Sequence, residues 1–334
     1  MEISPVDVTS DLALRASYDL ERRAVMVGRE TMPHWSWPEM AAVWRLPDPG
    51  EKAVLLGGTE GGRMVAGAVL FMPLLDNTEK CWLGVAVEPA EQGRGLGREM
   101  LDAVCALAVA EGRTDLLAEV KLPFDEVTSH RARRFAEAAG FTLSNVEIVR
   151  HLALPVATHD LEAWAGQAAP RHDGYRLETY LNEVPDDLVP SLCVLLGQLS
   201  VDAPTGEAEW EEELITPERY RENQRSLVAA GRRIYETVAV APDGTVAAQS
   251  TISVPPAGGR TDASQWGTFV HREHRGRRLG LAVKAANLRT VQEAHPEMRR
   301  IVTQNAETNG YMVSINELMG FEPVEASVEL IKRV

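Results

Sequence analysis

Between residues 53 and 87 the chain alternates between apolar runs and short polar breaks. AVLLGG (53–58), MVAGAVLFMPL (64–74) and CWLGVAV (81–87) are apolar stretches separated by glycine-bearing or polar turns. Runs of this length bounded by turn residues predict strands. The period then changes. In REMLDAVCALAVAEG (98–112), Met100, Leu101, Val104, Leu107 and Ala108 recur at helical spacing and predict an amphipathic helix. Around this centre, ISPVDV (3–8) predicts a short opening strand and residues 11–29 a helix. LLAEVKL (116–122) predicts a strand, SHRARRFAEAAG (129–140) a helix, and further strand follows to residue 155, ending on HLALP (151–155).

The same order then returns. YRLETYL (175–181), YETVAVA (235–241), TVAAQSTISV (245–254) and QWGTFVH (265–271) predict strands. LAVKAANLRTVQEAH (281–295) predicts a helix, RIVTQN (300–305) a strand, NGYMVSINELMG (309–320) a helix and ASVELIKR (326–333) a last strand. Residues 82–101 align with 265–284 at an offset of 183, placing Val87 on Val270, Gly93 on Gly276, Leu96 on Leu279 and Gly97 on Gly280. AAGF (138–141) aligns with LMGF (318–321) at an offset of 180. Two landmarks in one order at matched spacing indicate an internal repeat. The expected organisation is a first domain over 1–156, a linker over 157–174 with one helical turn, and a second domain over 175–334. The expected fold class is α+β: each copy a mixed, mainly antiparallel sheet flanked by helices, with a meander, a crossover helix, a parallel neighbour strand and a final helix.

Composition and charge narrow the chemistry. The chain has 334 residues, 45% hydrophobic and 25% charged, as soluble globular proteins have. No apolar run of 18 residues occurs, and the first residues lack a basic segment followed by an apolar one, so neither a membrane span nor a secretory leader is expected. The net charge of −15 argues against nucleic acid as a partner. Cys81, Cys105 and Cys193 cannot all pair and match no metal-ligand spacing, so no metal is expected; buried thiols in a cytoplasmic protein are.

EQGRGLGREM (91–100) sets three glycines and two arginines between a strand and a helix. A glycine-rich turn at a helix N-terminus bares backbone N–H groups to an anion such as a pyrophosphate. A Walker loop requires GxxxxGK[ST], which the chain lacks. The dinucleotide fingerprint GxGxxG fails because Arg98 stands where its third glycine would be, and because this loop follows a fourth strand rather than a first. The pattern that fits is V-x-V-x-P-x-x-Q/R-x-x-G-x-G/A, met by Val85, Val87, Pro89, Gln92, Gly95 and Gly97. On these residues the chain resembles the GNAT superfamily of acyl-CoA-dependent acyltransferases, and because the second copy keeps a variant loop, His274 to Gly280, the resemblance extends over both halves as a tandem GNAT.

That resemblance implies a coenzyme site at Val85, Val87, Gln92, Gly93, Arg94, Gly95, Leu96, Gly97 and Arg98 in the first copy. In the second it implies Val270, Arg275, Gly276, Arg277, Arg278, Leu279 and Gly280, with Asn305 and Asn309 toward the coenzyme arm. Ser129 holds the place of Asn309 in the first copy. Arg278 replaces Gly95, adding a cation and narrowing the backbone approach. The implied activity is transfer of an acetyl group from acetyl-CoA to a small-molecule amine by direct attack, in a monomer or homodimer; the alternative is a degenerate pair that binds acyl-CoA or a partner without catalysis. In many members of the family a tyrosine four residues before the GF glycine protonates the leaving thiolate; here those positions are Ala136 and Asn316. Candidates for proton chemistry are therefore Asn316 itself, Tyr311 as the nearest phenol and His271 as a base, each with a plain packing or solvated alternative. Gln265, Thr268 and Glu79 lie on or beside the fourth strands. Asp202, Glu207 and Glu212 belong to an acidic stretch, 201–222, that would form a lid over the acceptor or, alternatively, a solvated helix start. Trp35, Trp37 and Trp44 line the corresponding stretch of the first copy, either as pocket or as helix packing. The second copy is expected to be the catalytic one.

Overall fold

The structure is a computed structural model that describes residues 1–334 except 30, 31, 33, 47 and 259. The chain divides into two compact units. One comprises Met1–Asn145 with Val328–Val334, and the other Val146–Ser327.

The first unit runs β1 (Glu2–Pro5), α1 (Asp11–Val25), α2 (Trp37–Arg45), β2 (Glu51–Glu60), β3 (Arg63–Pro73), β4 (Lys80–Val87), α3 (Leu96–Ala110), β5 (Asp115–Leu122) and α4 (Arg131–Ala138). Ser10 starts α1 by accepting from the Ala13 N–H at 3.3 Å, which satisfies one of the open donors of the first turn. Gly61 and Gly62 turn β2 into β3 with φ of +57° and +79°, a two-residue hairpin that needs positive φ at both positions. Strands β1 to β4 pair antiparallel in order, β5 lies parallel to β4, and the last residues of the chain lie beside β5. The helical period seen in the sequence places Met100, Leu101, Val104 and Ala108 of α3 against Leu70 and Met72 of β3 in one apolar core. Burying each such large side chain contributes about 2 kcal/mol.

The strand β6 (Thr142–Ala153) follows, and with it the second unit: α5 (Thr158–Ala168), β7 (Arg176–Leu181), α6 (Val189–Gly197), α7 (Leu199–Asp202) and α8 (Pro217–Ala229). Then come β8 (Arg233–Val240), β9 (Val246–Val254), β10 (Asp262–Val270), α9 (Leu279–Ala294), β11 (Arg300–Ala306), α10 (Gly310–Leu318) and β12 (Glu322–Arg333). The meander β7 to β10 is antiparallel, and β11 is parallel to β10. Each unit is thus a mixed, mainly antiparallel sheet with helices against it.

Two readings of the sequence need amending. The strand that ends in HLALP, expected to close the first copy, pairs with β11 through Ala153↔Arg300 to Glu147↔Ala306, while Val328–Val334 belong to the first unit. Alternation reads the faces of a strand but not the edge it joins. Residues 157–174, expected as a linker with one helical turn, form the three-turn helix α5, whose Leu161, Trp164 and Ala168 are buried with Leu281, Ala285 and Leu288 of α9. Those three apolar residues at i, i+3 and i+7 were the signal for it.

In both units the parallel pair parts early. β4 and β5 are in register only at Lys80–Trp82 with Asp115–Leu117, although β4 runs on to Val87 and β5 to Leu122. β10 and β11 are in register only at Asp262–Ser264 with Arg300–Val302, and they continue to Val270 and Ala306. A bulge between Gln265 and Gly267 marks where β10 turns away. Each sheet therefore opens into a wedge, and the free end of its fourth strand leads into the glycine loop. Among the described residues no helix is long and apolar enough to cross a membrane.

Candidate functional site

In the first unit a short turn, Pro89–Glu91, carries the chain from β4 into the loop. Gly93 and Gly95 take φ of +83° and +87°, and Gly95 is the residue that caps α3. A Cβ on either would meet nothing within 4 Å, so the space over the helix N-terminus is open and the glycines serve backbone geometry. Gly97 is different: its Cβ would stand 3.4 Å from Val87 and 3.5 Å from Phe135, where helix, strand and α4 meet. Leu96 is buried beneath the loop, and Val85 and Val87 lie half-buried on β4 opposite Ala68 and Ala66 of β3.

The loop of the second unit has the same shape. Gly276 takes φ of +80°, and Arg278 caps α9 at φ +55°. Arg278 thus adopts the left-handed backbone that Gly95 adopts, at a cost of about 1–2 kcal/mol for a residue with a Cβ. Leu279 and Gly280 are buried, and a Cβ on Gly280 would stand 3.4 Å from Ile315 of α10 and 3.5 Å from Val270 of β10. Gln92 and Arg275, which share a repeat position, act alike: Gln92 Nε2 donates to the Val87 carbonyl at 3.2 Å, and Arg275 Nε donates to the Val270 carbonyl at 3.4 Å. Each ties its loop back onto the strand end.

Arg94, Arg98 and Arg275 of the two loops are engaged by carboxylates. In the first unit Arg94 donates to Glu91 at 2.5 Å and Glu60 at 3.0 Å, while Arg98 pairs with Asp102 at 3.0 Å. In the second, Arg275 pairs with Asp202 at 2.6 Å, and Arg272 pairs with Asp202 at 2.9 Å and Glu212 at 2.8 Å. Arg277 lies over the Tyr175 ring at 5.7 Å. Asp202 and Glu212, expected as an acidic lid for a cationic acceptor, therefore face the loop arginines instead. Charge pattern alone does not say which cation a carboxylate will meet. Glu207 lies exposed in the same stretch.

The candidates for proton chemistry separate. Tyr311 is 88% exposed at the start of α10, and Asn309 caps that helix, its Oδ1 accepting from the Met312 N–H at 3.3 Å. His271 is half-buried at the end of β10, with Nδ1 accepting from the Glu273 N–H at 3.3 Å and Nε2 3.3 Å from Gln198 Nε2. Gln265 fills the β10 bulge, donating to the carbonyls of Thr251 at 2.9 Å and Gly267 at 2.8 Å, and is structural. Glu79 pairs with Lys80. Trp37 and Trp44 pack with Leu14, Ala41 and Leu55, so helix packing accounts for these two, while the Trp35 backbone carbonyl accepts from Tyr18. Cys81 and Cys193 are buried, and burial pushes their thiols up to about 12 and about 11, away from nucleophilic chemistry.

Asn316 and Asn305 come together in a buried polar chain. Lys284 of α9 donates from Nζ to Asn316 Oδ1. Asn316 Nδ2 donates to Asn305 Oδ1 at 2.8 Å, and Arg150 Nη1 of β6 donates to the same oxygen at 3.2 Å. Lys284 is 1% exposed, and its Nζ lies 4.4 Å from the centre of the Phe321 ring. Burial, with the nearby Arg150 charge, pulls its ammonium down to about 7. Sequence reasoning missed Lys284. The available signal was a lysine at i+3 between Leu281 and Leu288, on the apolar stripe of a helix.

Residues 17–141 match the family model described as the Acetyltransferase (GNAT) family. Across the chain, the structure resembles a tandem GNAT protein from the clavulanic acid biosynthesis pathway, at 26% identity and a TM-score of 0.77, covering 99% of this chain and 98% of that one. It shares its fold with a GCN5-related N-acetyltransferase from Sphaerobacter thermophilus, at 15% identity, a TM-score of 0.62 and coverage of 99% and 95%. It also shares it with a putative acetyltransferase from Pyrococcus horikoshii, at 10% identity, a TM-score of 0.56 and coverage of 100% and 89%. No curated protein sequence matches the chain. Residues 17–141 thus match the GNAT family, and with the repeated loop and the repeated wedge the whole chain has the architecture of a tandem GNAT protein.

Proposed function

We propose that the protein is an N-acetyltransferase that transfers an acetyl group from acetyl-CoA to a small-molecule amine. The observation that carries the reading is the repeated geometry: in each unit a parallel strand pair parts in front of a glycine loop whose bared N–H groups open a helix. The loop suits a pyrophosphate and the wedge suits an extended acyl-carrying arm. The free backbone of β4 or β10, at Val87 or Val270, would supply a donor to the thioester oxygen, and the coenzyme supplies the activated acyl group. The amine must lose a proton before it attacks, and holding it beside the thioester provides the rate advantage of proximity. The likeness to a tandem GNAT protein from the clavulanic acid biosynthesis pathway favours a small-molecule acceptor over a macromolecule. The net charge of −15 agrees with a partner other than nucleic acid. We assign transfer to the second unit, acting as monomer or homodimer in the cytoplasm, because its wedge carries the buried polar chain while the repeat-matched positions of the first unit are Leu101 and Ala136.

A second reading, a pair that binds acyl-CoA without transfer, is favoured by the carboxylates that already hold the loop arginines. Calorimetric titration with acetyl-CoA separates the possibilities. Two sites in the wild type, one lost with Gly95→Glu and the other with Gly280→Glu, are expected, with thiol release on addition of a suitable amine. Binding without thiol release across amino sugars, amino acids and polyamines would support the second reading. Absence of binding would overturn both.

A further inference from the structure

Lys284 is a cation with no carboxylate partner among the described residues, and its burial is expensive. A group kept at that cost calls for a role, and its place suggests one. Asn305, the inner end of the chain that reaches Lys284, stands on β11 three residues past the last pairing of β11 with β10, so it borders the wedge. Ile315, the neighbour of Asn316, packs within 4 Å of the position a Gly280 Cβ would take, as do Val270 and Thr268 on the other wall of the wedge. The polar chain Lys284–Asn316–Asn305 therefore backs onto the point where the two strands separate. An acyl arm entering from the loop would bring its reactive end there.

We propose that Lys284 is the proton donor to the sulfur that leaves when the thioester is cleaved. The proposal rests on the acyl-CoA reading given above. In the step, the neutral amine forms a bond to the acyl carbon and the carbon–sulfur bond breaks with its electron pair on sulfur. The Lys284 ammonium gives its proton to that sulfur, and the proton released from the attacking nitrogen returns through solvent to the amine of Lys284. For this purpose Asn316 holds Nζ in place and acts as a positioning residue. The pull of burial toward about 7 keeps the ammonium acidic enough to give up its proton near neutrality. Arg150 from β6 is the other charge acting on Lys284, α10 and β11 face it with amides, and Phe321 with its ring. In the first unit the equivalents of Lys284 and Asn316 are Leu101 and Ala136, so the donor belongs to one unit alone.

The test uses the full chain carrying Gly95→Glu, so that the second unit's loop is the one read. Coenzyme A is bound, and the ultraviolet absorbance of its thiolate is followed against pH. With Lys284 present, the bound thiol is expected to ionise at least one pH unit below the ordinary thiol value of about 8.5. With Lys284→Met it is expected to ionise at or above that value, and with Lys284→Arg low again. In turnover, Lys284→Met should lower kcat about 100-fold with KM for acetyl-CoA little changed. Should Lys284→Met fail to fold, the Lys284-bearing chain still decides: coenzyme A should bind more tightly than its desulfo analogue at pH 8, and equal affinities overturn the proposal. An unshifted thiol in the presence of Lys284 also overturns it. Failure of coenzyme A to bind at all overturns the acyl-CoA reading itself, which is a distinct result.

Discussion

Asp202 Oδ2 accepts from Arg275 Nη2 at 2.6 Å, so the acidic stretch between α6 and α8 closes on the glycine loop of its own unit. Arg272 joins the same carboxylate at 2.9 Å. An incoming anion must compete with this pair. Asp202→Asn is therefore expected to tighten binding of coenzyme A to the second unit by up to about fivefold, the range that exposed ion pairs span. The gain should shrink at high salt, because screening weakens the pair in the wild type. Calorimetry at two ionic strengths measures both effects. Weaker binding in the variant would show that Asp202 supports the loop rather than occupies it.

Arg278 sits at φ +55° where Gly95 sits at +87°. Arg278→Gly relieves the left-handed strain but frees the unfolded chain, and a net stabilisation of about 0–1 kcal/mol is expected. Gly95→Ala is expected to destabilise the first unit by about 1 kcal/mol, although a Cβ there touches nothing, because the cost lies in the backbone. Urea denaturation of both variants reads the two signs.

Glu236 is buried on β8, its carboxylate accepting from Tyr220 at 2.7 Å, and burial pushes it up to about 7. The folded state then holds this proton more tightly than the unfolded chain does. The favourable term is complete below the unfolded value near 4.5 and is lost as pH rises toward 7. Compared with Glu236→Gln, the wild type should lose stability across that window at no more than about 1.4 kcal/mol per pH unit. Parallel pH-stability curves for the two proteins would refute the buried, protonated carboxyl.

Asn309 spends its side chain on the first turn of α10. Asn309→Ala should cost about 1 kcal/mol of stability, and Asn309→Ser should recover most of it. Coenzyme affinity should follow the helix: if Asn309→Ser restores stability but not binding, the side chain touches the ligand as well.

Much of this protein could be read without coordinates. The unbroken apolar run in 64–74 and the helical period in 98–112 announced β3 and α3, because burial of apolar side chains acts locally along the chain. Gly93, Gly95 and Gly276 announced turns that need positive φ, and the repeat at offsets of 183 and 180 announced two copies. α5 was visible too, in Leu161, Trp164 and Ala168, but polar and proline neighbours masked it.

What the sequence determined by itself was the repeated strands and helices around each glycine loop, their buried faces and the positive φ of the loop glycines, since these follow from side-chain size, spacing and Cβ sterics. Tertiary structure alone decided the partners. That HLALP pairs with β11, that Asp202 meets Arg275 and that Lys284 reaches Asn316 32 residues away depends on which edges and faces folding brings together. A strand edge carries the same N–H and C=O groups whatever its sequence, and a charged side chain has the same charge wherever it points. Such groups acquire a specific neighbour only when packing places it there.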